Sequence, residues 1–145
     1  MCGLALTHVP KLGPVMAEFA RVLRPGGHVV SADVHHELVL AGSVPVARGP
    51  GDEPELVATY RHTAGDYIRA AVPLGLQVRR CEEPLGLPGA PPRPATPDAT
   101  VNGWGDWPWS LMSMLPAATR AAFGGPDGIP QTIIWHFQLE SGLAP

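Results

Sequence analysis

The chain has 145 residues, 45% of them hydrophobic, enough for one core and for a single domain over 1–145. A net charge of −3 leaves no basic footprint, which disfavours nucleic acid as a partner. No unbroken apolar run reaches the ~20 residues of a membrane span, and the two thiols, Cys2 and Cys81, lack metal-ligand spacing and suit a reducing cytoplasm.

In chain order, Cys2 to Leu6 is apolar and reads as the end of a strand. The start "MCGLALTHV" has no basic n-region and only a short apolar run, so it is not read as a signal peptide. Leu12, Val15, Met16, Phe19, Val22 and Leu23 recur at helical spacing and predict a helix from about Leu12 to Leu23, with Pro14 in its first turn and Arg21 and Arg24 near its negative end. Pro25-Gly26-Gly27 stops that helix, one of the glycines taking a positive φ. His28 to Asp33 follows as a short strand closed by a carboxylate.

Beyond it the pattern is weaker. Residues 49–54 form a turn cluster, and Val57 to Arg61 has strand character. Thr63-Ala64-Gly65-Asp66 has the form of a helix start, with aspartate where a capping box carries Glu or Gln. Tyr67, Ile68, Ala71 and Val72 predict the helical face, Pro73 and Gly75 its end, and Leu76 to Glu82 a strand. Residues 84–103 open with six prolines in fourteen positions and predict a flexible loop. A short helix is expected over Ala117 to Ala122. Gln131 to Glu140 is so continuously apolar at its centre that it predicts a strand buried on both faces, with His136 a hydrogen-bonded core residue.

The run "EFARVLRPGGHVVSAD" (18–33), preceded by "CGLALTHVPKL" (2–12), resembles the second half of class I methyltransferases that use S-adenosylmethionine, of the type 11 kind. The resemblance implies an α/β fold: a partial Rossmann-like sheet holding strands four to seven of the family. The last strand would be antiparallel, between the fifth and sixth, with helices on the faces and the N-terminal half absent. Neither Gly26-Gly27 nor Gly124-Gly125 has the strand–glycine loop–helix context of a cofactor cradle, so the S-adenosylmethionine site is expected to be at best half present. Lys11 departs from the aspartate many relatives carry there, and reads as a solvated residue at the helix entrance.

Ligands of open α/β sheets bind beyond the carboxyl ends of the strands. Cys2, Gly3 and Leu4, with His8 from the next loop, are by resemblance the cofactor-binding candidates. His35 and His36 are candidate general bases or exposed loop histidines. Asp33, Trp104 and Trp107 are candidates for the acceptor's surroundings, the tryptophans as a lid or as packing aromatics. Asp33-x-His35-His36 lacks a distant fourth donor, so no metal is expected. Cys81 reads as an inert buried thiol.

The function implied is methyl transfer from S-adenosylmethionine to a small-molecule acceptor, incomplete in this chain alone. The alternative is a non-catalytic remnant or a partner-dependent subunit without its own cofactor binding. A nicotinamide-dependent dehydrogenase half lacks both the glycine loop and a Tyr/Lys pair. With the first three strands absent, Gly3 to Leu6 would be a bare apolar edge, to be covered by a second copy or a separately encoded N-terminal half, or else to aggregate.

Overall fold

The computed structural model describes residues 1–40, 43–48, 50–51, 54–85, 111–113 and 130–142. Strand β1 (Cys2–Gly3) leads through a 3-10 turn (Leu6–His8) into helix α1 (Leu12–Val22). Strand β2 (His28–Val34), the short helix α2 (His36–Leu40) and strands β3 (Ser43–Arg48) and β4 (Pro54–Leu56) follow. Helix α3 (Ala64–Ala71) passes through a 3-10 turn (Val72–Leu74) into β5 (Leu76–Glu82), and β6 (Leu111–Ser113) and β7 (Thr132–Leu139) complete the described elements.

The main sheet has the order β1-β2-β7-β5. β1 is parallel to β2, and β7 is antiparallel to both β2 and β5. The insertion implied by the resemblance is therefore present, and β1, β2 and β5 all end on the same side. β4-β3-β6 form a second, antiparallel sheet. Its β4 replaces the strand expected over Val57 to Arg61, which is irregular. That segment is instead tied to the turn after β1: the Tyr60 N–H donates to the Thr7 carbonyl (2.8 Å), His8 Nδ1 to the Ala58 carbonyl (3.0 Å) and His62 Nε2 to the Val9 carbonyl (2.8 Å). Residues 58–62 thus form a strap beside residues 7–9.

The core lies between the sheet and helices α1 and α3. Leu12 and Met16 of α1, Tyr67 and Ala71 of α3, and Ile133, Trp135 and Phe137 of β7 are buried. Trp135 stacks between Tyr67 and Phe137, at ring separations of 5.4 and 5.3 Å. Burial of such aromatics contributes most of the apolar area removed from water.

Several expectations need correcting. β7 buries alternate residues, so one face is core and the other half-covered; His136 lies on the latter, bonded ring to ring with His28 at 2.8 Å. Ile68 and Val72 face outward, because α3 turns Tyr67 and Ala71 to the sheet. Cys81 is exposed. The edge expected over Gly3 to Leu6 shrinks to Cys2–Gly3, because Leu4 adopts φ +52° and turns the chain so that Leu6 is buried. Asp66 serves fully as a capping-box residue: its backbone N–H donates to Thr63 Oγ1 (3.2 Å) and its carboxylate accepts the Thr63 N–H (2.8 Å).

Candidate functional site

The carboxyl ends of β1, β2 and β5 converge, and the first of them is held by a buried carboxylate. Asp33, 2% exposed, accepts the Thr7 N–H at Oδ2 (2.9 Å) and the Val34 N–H at Oδ1 (2.8 Å). It ties the turn after β1 to β2, and both its oxygens are occupied by this chain's own backbone. Beside it, burial and then the Asp33 charge push the Cys2 thiol pKa upward, so Cys2 stays protonated. Leu4 sits at the mouth of the site in a left-handed conformation that costs a non-glycine residue ~1–2 kcal/mol. Next to it, a Cβ built on Gly3 would meet nothing within 4 Å, so the end of β1 opens onto free space.

At the end of β2 the two histidines are fixed differently. His35 is buried, and its Nδ1 accepts the Glu37 N–H (3.2 Å). That places its proton on Nε2, which donates to Glu83 Oε1 at 3.1 Å. His36 packs against it with a ring separation of 4.2 Å, and its Nδ1 is buried with no partner among the described residues. Burial foremost, then His35 and Arg61, push the His36 pKa down, against the opposing charges of Glu37 and Glu83. The outcome is a neutral imidazole with an enclosed, unpartnered nitrogen.

Glu83 escaped the reading of the sequence. It lies 48 residues from His35 and is brought there because β5, on the far side of β7 from β2, runs parallel to β2 and ends on the same side of the sheet. Its one visible signal is a place just past a strand end. The donor atoms of His35, His36 and Glu83 lie within 4.8 Å of one another, as in many cation sites. Here, however, a cation at His35 Nε2 would have to displace the proton that the Glu37 N–H forces onto that nitrogen, so the trio reads as a hydrogen-bonded cluster.

Of the other candidates, His8 is half-buried and uses Nδ1 on the strap. Trp104 and Trp107, the expected loop from 86 to 103, and the helix expected over Ala117 to Ala122 lie outside the described residues. An open groove of about 480 Å³ runs between the start of α1 and α3, lined by residues including Lys11, Tyr60, Arg61, His62, Asp66 and Arg69. Lys11 is exposed at its rim, as expected. Bonds from the Thr63 side chain and backbone, then from Arg69, hold the Asp66 carboxyl down at about 2.

No protein-family model and no curated protein matches the chain. Solved structures do. An S-adenosylmethionine-dependent methyltransferase from Mesorhizobium loti superimposes on 94% of the chain with a TM-score of 0.55 and 14% identity. One described as putative, from Listeria monocytogenes, superimposes on 95% with a TM-score of 0.56 and 12% identity. The chain spans 59% of the length of each. It has a class I methyltransferase-like fold, in the form of a partial Rossmann-like sheet.

Proposed function

We propose that the chain forms the acceptor side of an S-adenosylmethionine-dependent methyl-transfer site for a small molecule, with His36 as the base. The observation that carries this reading is the buried, unpartnered His36 Nδ1 at the carboxyl end of β2, on a sheet of this topology. A methyl on a sulfonium is already activated, so the cofactor when bound supplies the electrophile. The chain's own work is to orient the acceptor and to take its proton. An acceptor hydroxyl at His36 gives its proton to the imidazole, and the imidazolium formed is favoured by Glu37 and Glu83, the two charges that raise the His36 pKa against its overall lowering. His35, locked by Glu37 and Glu83, packs on the His36 ring and positions it.

The residues present fit one flank of the cofactor. The open space beyond Gly3 leaves room for it at the end of β1. Its amino-acid and ribose ends find no glycine cradle among the described residues, and both Asp33 oxygens are engaged by backbone N–H groups. Losing several charge-assisted bonds of ~1.5–3 kcal/mol each weakens a micromolar site at least about a hundredfold. The same observation favours a second reading, a partner-dependent or non-catalytic chain that keeps the fold.

Titrating the 15N-labelled chain with millimolar S-adenosylmethionine separates them. The proposal expects weak binding, with amide shifts confined to residues 3–8 and 33–37. No shift, or shifts elsewhere, would leave the non-catalytic reading. Micromolar affinity by calorimetry would instead refute the description of a single flank.

A further inference from the structure

The groove between the start of α1 and α3 gathers positive charge. The protein is net negative with ten Lys and Arg in all, yet three of these, Lys11, Arg61 and Arg69, line this one groove against the single carboxylate of Asp66. Asp66 is committed to Arg69, at 2.6 Å, and to the α3 cap. Lys11 and Arg61 form no ion pair among the described residues. Arg61 does not hang from a loose loop: the bonds of Tyr60 to Thr7 and of His62 to Val9 fix the strap on either side of it. That strap is bonded to the turn after β1, which Asp33 holds, so the groove lies at the carboxyl end of the sheet. A volume of about 480 Å³ suits a small molecule.

We infer that this groove seats the acceptor and that the acceptor carries an anionic group, a carboxylate or a phosphate, held by Lys11 and Arg61. The inference rests on the methyl-transfer reading for the word acceptor; the anion site itself does not. Arg61 suits such a group because its planar fork can meet two oxygens at once, and Lys11 adds a point charge at the rim.

The test uses the whole chain and three probes: benzoate, its neutral analogue benzamide, and inorganic phosphate, each followed by amide shifts. Benzoate is expected to move residues 11–13 and 60–62 and to bind about tenfold or more tighter than benzamide. Arg61→Gln and Lys11→Gln should each weaken it several-fold, while Arg80→Gln, on β5, should not. Phosphate binding tighter than benzoate at the same amides assigns the groove to phosphate esters, and the reverse assigns it to carboxylates. Equal binding of benzoate and benzamide, shifts scattered over Arg21, Arg24 and Arg80, or indifference to both groove substitutions would overturn the inference. Benzoate binding without any response to S-adenosylmethionine would remove the methyl-transfer reading and leave the anion groove; the converse would remove the groove alone.

Discussion

The two ends of the main sheet are built on different principles. At the end where β2 and β5 begin, polar backbone groups close on one another. The Gly26 N–H donates to the Leu139 carbonyl (3.0 Å), the Leu139 N–H to Gly27 (2.9 Å), and the Glu140 N–H to Gly75 (3.0 Å). Gln138 Nε2 donates to the Gly26 carbonyl, and Gln77 Nε2 to Glu140. Gly26 and Gly75 supply the positive φ those turns require. At the opposite end the chain leaves a non-glycine residue in a left-handed conformation, a buried ring nitrogen without a partner and an open charged groove. One end is closed by its own hydrogen bonds; the other holds strain and an unmade hydrogen bond.

If that division is right, substitutions at the closed end cost stability and those at the open end cost binding. The largest loss should come from Gly27→Val. A Cβ there would lie 2.8 Å from the Arg24 carbonyl oxygen, a backbone atom that cannot swing aside, so ~2–3 kcal/mol should be lost in denaturant melts. Melting with the parent would break the comparison at its firmer end. Asp33→Asn is the exception at the open end that sharpens it. It replaces a buried carboxylate holding two N–H groups and should cost ~1.5–3 kcal/mol, with faster amide exchange at Thr7.

Gly26→Val places a branched side chain at φ +77° and within 3.3 Å of Ser141 Oγ, a side chain free to move, so a smaller ~1–2 kcal/mol is expected. His36→Ala should change stability by under ~0.5 kcal/mol, since the lost nitrogen has no partner; a large destabilisation would make that ring structural. The effect at Asp66 is the one that depends on pH, since its folded carboxyl is held down at about 2 against an unfolded 3.8. The unfolded state then binds more protons between those values, so this contribution is complete above about 3.8 and fades as pH falls toward 2. The difference in melting temperature between the parent and Asp66→Asn should accordingly shrink from pH 5 to pH 2.5.

The local elements were largely legible because their signals are local. The α1 helix, the Pro-Gly-Gly stop, the Thr63 cap and the Leu76 to Glu82 strand depend on residues within a few positions of one another, and each is in place, although Val22, expected on the apolar face of α1, is exposed. Errors arose where burial is decided by what packs above. Cys81 and Val72 are apolar enough for a core yet face outward, and the rich apolar run of β7 buries only alternate residues. The site divided in the same way. His35 and His36 could be placed at the end of a strand from their spacing, but their roles could not be told apart. A neighbouring N–H and a carboxylate 48 residues away fix one ring, while the other is left open.

The sequence by itself determined α1, β2, α3 and β5 and the order in which they come, since propensity, capping and turn chemistry act over one or two turns of chain. Tertiary structure alone decided that β7 separates β2 from β5, that Glu83 reaches His35, and that Lys11, Arg61 and Arg69 share one groove. Those are meetings between distant segments. They are set by which faces must leave water together, and no window of neighbouring residues contains that information.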